Sequence, residues 1–203
     1  PVDSEHFSIF YSIQGNIISN INKVYLTASG GPLNNVPKDK FKNVKISEAI
    51  KHPNWKMGKK ISTDSATMIN KVYEVIEAKK IFNINYKKIK ILIHPKSYIH
   101  AILKFNNGLI NIIAHDTTMK IPIFNTLFLN DYRKLKTNKI NINILNNLNL
   151  KNVNSTQFPM IKILSLLPDN HSLFETVIVA ANDKLVELFL NNKIQFTELE
   201  KNL

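Results

Sequence analysis

Cysteine is absent from all 203 residues, which excludes a disulfide framework and any thiolate metal site. Glycine occurs only five times and never as G-x-G-x-x-G, so these residues carry no dinucleotide-binding loop of that type. Arginine occurs once, at Arg133. The net charge of +12 invites a nucleic-acid reading, yet it is carried by lysine, whereas bidentate base and phosphate recognition favours arginine. Lysine also runs with asparagine and isoleucine throughout, as in Asn138-Lys139-Ile140-Asn141-Ile142-Asn143, which marks a compositional drift more than a binding patch. Without an aromatic RNA-binding motif or zinc-finger spacing, nucleic acid is not the expected partner, and a general attraction for anionic substrates is. No run of about 18 apolar residues and no signal-peptide pattern occurs, so no membrane association is expected. The sequence opens at Pro1 without a methionine, and is expected to be a piece of a longer or split protein.

Hydrophobic residues make up 44% of the chain, enough for a substantial core in one large domain or two small ones. Lys23–Thr27 and Lys90–His94 read as strands. Tyr98–Phe105 and Leu109–Ala114 flank Asn106-Asn107-Gly108, a hairpin signal. A weak helical pattern covers Lys45–Ile50. Met160–Leu167 and Leu173–Leu190 read as helices, the second with Phe174, Val177, Ile178 and Ala181 on an apolar face, and Phe196–Leu203 begins a third. The expected class is α/β (α+β), with a mixed sheet covered by helices over 1–128. A polar linker or arm follows at 129–156, then a small all-α region at 157–203. His94, His100 and His115 lack helical ligand spacing and are read as satisfied structural histidines.

The stretch from His52 to Glu74 carries the most chemistry. Pro53 biases His52 towards extended backbone, and Lys56-Met57-Gly58-Lys59-Lys60 is a basic run containing a glycine. Asp64 and Ser65 are candidate N-caps, because apolar residues at Met68, Ile69, Val72, Tyr73 and Ile76 recur at helical spacing. That reading places Ser65 and Thr67 in an opening turn, where free N–H groups and the dipole favour an anion. Asn70, Lys71 and Glu74 fall three and four residues apart and so share one surface. A capped amphipathic helix with a solvated polar face explains the same pattern.

At the other end, Asp3 and Glu5 stand at i and i+2, on one side of an extended chain, with Ser4 between them and His6 after them. Two carboxylates this close repel unless they share a cation, and a hard divalent ion takes such oxygen ligands. Solvated loops carry the same spacing. The strand at Lys23–Thr27 runs into Ala28-Ser29-Gly30-Gly31-Pro32, where a hydroxyl and turn N–H groups can face an anion, or simply turn the chain.

Several words occur in series: PVDSEH at Pro1–His6, LTASGGP at Leu26–Pro32, HPNWKMGKKIS at His52–Ser62, DSATM at Asp64–Met68, Asn70-Lys71 with Glu74, and IHP at Ile93–Pro95 with Ser97. In this order the chain resembles the 1-deoxy-D-xylulose 5-phosphate reductoisomerase family over nearly its whole length. The resemblance implies that Asp3, Glu5 and Glu74 ligate Mg2+ or Mn2+. It implies that Ser29, Ser65, Asn70 and Lys71 hold the substrate phosphate, that Ser4 and His52 contact the oxygenated carbons, and that Trp55 and Met57 belong to a closing lid. Asp3, Glu5, Glu74 and His52 are the implied catalytic set. The implied substrate is 1-deoxy-D-xylulose 5-phosphate and the implied reductant NADPH. NADPH is expected to be held mainly by a Rossmann domain outside these residues, with Met57 and Gly58 as the nearest contacts from this chain. A homodimer and a bacterial cytoplasmic or plastid-type location follow by the same analogy.

The match has departures. Val72 stands for the family's usual glycine after Asn-Lys, Lys120 for an arginine, and Ala181-Asn182-Asp183 for Ala-Asn-Glu, while 124–157 is hard to match. These motivate a second reading, a paralogue acting only as a sugar-phosphate or protein-binding module.

Overall fold

A computed structural model describes residues 1–15, 18–129, 133–170 and 172–203. The polar connection expected around Gly15–Asn22 and the arm expected at 129–156 therefore lie partly outside the described residues. Two compact units interleave along the chain, Pro1–Ser29 with Glu77–Asn152, and Gly30–Ile76 with Val153–Leu203.

The first unit is built on a five-stranded mixed sheet of order β4-β3-β1-β2-β5. Its central strand β1 (Ile21–Ala28) buries Ile21, Val24, Leu26 and Ala28, the near-continuous apolar run that a doubly covered strand requires. It pairs in parallel with β2 (Ile89–Ile93), from Val24 opposite Ile89 to Ala28 opposite Ile93. On its other side runs antiparallel β3 (Ile99–Phe105). The Asn106-Asn107-Gly108 turn, with Gly108 at φ +89°, returns the chain as β4 (Ile110–Ala114). β5 (Lys151–Asn152) adds a short antiparallel edge beside Leu92 and Ile93, a strand inside the stretch expected as linker. Helix α1 (Ser4–Ile13) packs on β3 and β4, burying Phe7 and Ile9.

In the second unit lie α2 (Ile46–Ala49), α3 (Lys59–Thr67), and the first half of α4 (Ile69–Phe82), which continues into the first unit. α5 (Lys120–Leu127) and α6 (Ile142–Asn146) belong to the first unit. α7 (Phe174–Leu190) packs on α3 and on α8 (Phe196–Asn202). Phe196 is fully buried between Phe41 and Phe189, meeting each ring edge-on at centroid distances of 5.8 and 5.6 Å. The Gln157 amide donates towards the carbonyls of Leu33, Asn34 and Val36, tying the later segment of this unit to the earlier one.

Two expectations about the later helices are corrected. The segment expected as a helix at Met160–Leu167 is a 3-10 run over Pro159–Ser165. On α7 the buried stripe is Ile178, Asn182, Val186 and Phe189, whereas Phe174 and Val177 are exposed. Periodicity alone leaves the phase of such a stripe open by one residue. Among the described residues no helix is long and apolar enough to cross a membrane.

Candidate functional site

The helix expected to start at Asp64-Ser65 is two helices. α3 runs from Lys59 to Thr67 and ends on Met68, which takes the left-handed conformation at φ +66° and donates its N–H to the Ser65 carbonyl. Ser65 and Thr67 therefore close a helix instead of opening one. The apolar repeat begins only at Met68, so it could not register the helix that ends there. The free N-terminus belongs to α4, where the Thr67 hydroxyl accepts from the Ile69 N–H at 3.4 Å. Asn70 and Lys71 thus occupy the turn with the positive dipole end, the place assigned by sequence to Ser65.

Those two side chains converge on Glu74. Asn70 Nδ2 donates to Glu74 Oε1 at 2.6 Å, and Lys71 Nζ lies 2.6 Å from Oε2. Lys71 and Glu74 are only 6% and 4% exposed, so an ammonium and a carboxylate are held together largely out of water. Such a pair is retained against a desolvation cost that replacement by apolar residues would remove, which makes a functional reason worth seeking. Val72, between them in sequence, is fully buried in the core.

His52 stands near this charge. Its Nδ1 accepts the backbone N–H of Trp55 at 2.9 Å and of Asn54 at 3.2 Å. Burial, and secondly the Lys71 ammonium, lower its pKa to about 4. At neutral pH the ring is uncharged, and with Nδ1 occupied as acceptor the proton sits on Nε2. The same contacts fix the backbone at Trp55, and Met57 and Gly58 follow, Gly58 as the N-terminal flanking residue of α3.

The Ser29-Gly30-Gly31 turn sits at the end of β1. Both glycines have positive φ, +84° and +66°, and a Cβ on Gly31 would lie 2.4 Å from the Ser65 carbonyl oxygen. Only a glycine lets this backbone come so close to the last turn of α3. Ser29 is buried, at 9% exposure.

Asp3 and Glu5 do not reach their places by strand alternation. Asp3 is the N-cap of α1, its carboxylate accepting from the N–H groups of Glu5 (3.1 Å) and His6 (3.4 Å), and Glu5 lies in the first turn. The Ser4 hydroxyl donates to Glu5 Oε2. Buried His6 points Nδ1 at Asp3 Oδ1 (3.5 Å) and at Glu77 Oε2 (3.6 Å). Glu77 follows Glu74 by three residues on α4, so the two acids are neighbours on one helical surface.

Sequence reasoning treated Asp64 only as a cap. It is a buried acid, 2% exposed, receiving Asn182 Nδ2 at 2.9 Å and Lys60 Nζ at 2.7 Å, with its pKa raised by burial against those partners. No local pattern could have paired residues 118 positions apart. The three histidines are buried: His94 Nδ1 donates to the Leu148 carbonyl, His115 Nδ1 to that of Asp116, and His100 stacks on His115 at 3.7 Å.

These features define an α+β protein in which a lysine in the first turn of a helix is paired, out of water, with a carboxylate one turn on, beside a neutral histidine. Residues 1–82 match the model of the 1-deoxy-D-xylulose 5-phosphate reductoisomerase C-terminal domain, and residues 116–203 that of the DXP reductoisomerase C-terminal domain. The chain belongs to the 1-deoxy-D-xylulose 5-phosphate reductoisomerase family. The reductoisomerase of Pelagibacter ubique (strain HTCC1062) is 60% identical over 203 residues, covering 100% of this chain and 52% of its own. The structure of the Zymomonas mobilis reductoisomerase in complex with NADPH superposes with a TM-score of 0.89 at 31% identity, over 99% of this chain and 52% of that one. A DOX-P reductoisomerase in complex with NADPH, fosmidomycin and magnesium gives 0.84 at 31%, over 98% and 51%. The chain thus spans about half the length of the relatives it matches.

Proposed function

We propose that this chain supplies the metal and sugar-phosphate site of an NADPH-dependent reductoisomerase that converts 1-deoxy-D-xylulose 5-phosphate to 2-C-methyl-D-erythritol 4-phosphate. The observation that carries this reading is the buried Lys71–Glu74 pair, with Lys71 and Asn70 in the opening turn of α4 and both held on the Glu74 carboxylate one turn further on. Asn70 and Lys71 would take the phosphate there, Lys71 as a desolvated point charge and the helix end as its dipole complement. Ser29 and Ser65 would add hydroxyls.

The donor chemistry of Asp3, Glu5 and Glu74 fits a hard divalent cation such as Mg2+ or Mn2+, because all three offer carboxylate oxygens. When bound, such an ion supplies Lewis-acid stabilisation of oxygen charge developing on the ketose. The residues of the chain do the rest. Ser4 and the Nε2–H of neutral His52 are donors for the substrate's oxygenated carbons. Phosphate held at Lys71 supplies remote binding energy that Trp55 and Met57 can use to close over the sugar and exclude water. Met57 and Gly58 would face the NADPH whose hydride completes the reaction. Homodimer formation and a bacterial cytoplasmic or plastid-type location belong to the same reading.

Calorimetry on the 203-residue chain with Mg2+ and 1-deoxy-D-xylulose 5-phosphate tests it. Binding that requires the metal, and that weakens about tenfold or more in Lys71→Ala, is expected, the scale of losing one hydrogen bond to a charged group. Metal-independent binding would favour the alternative of a sugar-phosphate module without catalysis, for which the departure from the family pattern at Val72 is the motive. No binding under either condition would overturn both.

A further inference from the structure

Away from the Lys71–Glu74 pair, the second unit contains a polar knot that none of the assigned roles uses. Asp64 of α3 is its centre, with Asn182 Nδ2 of α7 at 2.9 Å and Lys60 Nζ, one turn back on α3, at 2.7 Å. The same ammonium reaches Asp183 Oδ1 of α7 at 2.9 Å. It also lies 5.4 Å from the ring centroid of Tyr73 on α4, between Val72 and Glu74 in sequence. Asp64 and Asn182 are 2% and 1% exposed. The knot therefore ties three helices together at the break between α3 and α4, the left-handed Met68.

A buried carboxylate is costly to leave unpaired, so its partners act as strong geometric constraints. A single residue at positive φ, with one hydrogen bond from its N–H to Ser65, does little to fix the angle between two helices. Packing around it must do so. Residues 69–71 leave that junction directly, so a small rotation at Met68 redirects Asn70, Lys71 and Glu74 together. Asp183 stands where the family pattern reads glutamate, and its shorter side chain still reaches Lys60.

We propose that Asn182, Asp64, Lys60 and Asp183 are positioning residues for the anion site. By clamping α3 to α7 they set the direction in which α4 presents Lys71 and Asn70 to a phosphoryl or phosphonate group. The inference rests on the proposed function insofar as it takes that turn to be the anion site.

The test is the affinity of the 203-residue chain for fosmidomycin in the presence of Mg2+, with amide hydrogen exchange at Asn70–Glu74 of the ligand-free chain as a second readout. Asn182→Ala and Asp183→Ala are expected to weaken binding about tenfold and to speed exchange at Asn70–Glu74, tenfold being the scale of one charge-assisted hydrogen bond. Asp183→Glu keeps the ion pair and is expected to retain affinity. Lys38→Ala, which removes the ion pair to Glu200 elsewhere in the same unit, serves as the stability control. It should lower the midpoint of urea unfolding without moving either readout. Unchanged affinity and exchange in Asn182→Ala, or equal loss in Lys38→Ala, would overturn the positioning role while leaving the proposed function standing. Failure of the unaltered chain to bind would overturn both.

Discussion

Replacing Gly31 by alanine should damage the protein far more than the same change at Gly15, though both glycines have positive φ, +66° and +77°. At Gly15 nothing among the described residues lies within 4 Å of the added Cβ, so the conformational preference is the main change. The left-handed penalty for alanine is about 1–2 kcal/mol, and the lower entropy of the unfolded alanine chain offsets roughly 0.4–1 kcal/mol of it. Gly15→Ala is therefore expected to cost about 1 kcal/mol. At Gly31 the new carbon would sit 2.4 Å from the Ser65 carbonyl oxygen and 2.8 Å from its carbon. Both atoms are backbone in the last turn of α3, so no side chain can swing away, and the turn or the helix end must retreat. Overpacking of that kind adds about 1–3 kcal/mol, giving roughly 2–4 kcal/mol in all. Urea unfolding of the two variants, with m compared as well as the midpoint, measures the difference. Ligand affinity should fall in Gly31→Ala alone, because Ser65 moves with the helix end. Equal destabilisation by the two substitutions would show that the Gly31–Ser65 approach is not a tight constraint and would remove the argument for it.

Two further outcomes follow from the charged groups. Lys71→Met leaves the 4%-exposed Glu74 without its ammonium and should cost about 3–5 kcal/mol in urea unfolding, whereas Lys71→Met with Glu74→Gln should recover most of the loss; a single variant as stable as the double would refute the coupling. His52 has a pKa of about 4 in the folded chain against an ordinary 6.5, so the unfolded state binds more protons between those values. Its contribution is complete above pH 6.5 and is lost as pH falls towards 4, reduced in size by partial exposure of the ring. The difference in stability between the unaltered chain and His52→Gln should therefore shrink across that window, and a difference independent of pH would contradict the lowered pKa.

Much of this protein is legible without coordinates. The alternating and continuous apolar runs of Lys23–Thr27, Lys90–His94, Tyr98–Phe105 and Leu109–Ala114, with Asn-Gly between the last two, specify strands and a hairpin because side-chain period and turn chemistry are local properties. The spacing of Asn70, Lys71 and Glu74 specifies a shared helical surface for the same reason. What local pattern could not supply is where one helix stops. The apolar repeat from Met68 to Ile76 starts at the left-handed Met68 and carries no sign of the helix before it, so the break, and with it the exchange of roles between Ser65 and Lys71 at the free helix end, depends on packing. The burial phase of α7 is decided likewise by contact with α3 and α8, which turns Val177 outward and Asn182 inward. The Asp64–Asn182 bond, the short strand β5 and the interleaving of the two units all join residues distant in the chain. Sequence periodicity reports what one segment can bury, and only the assembled fold decides what it is buried against.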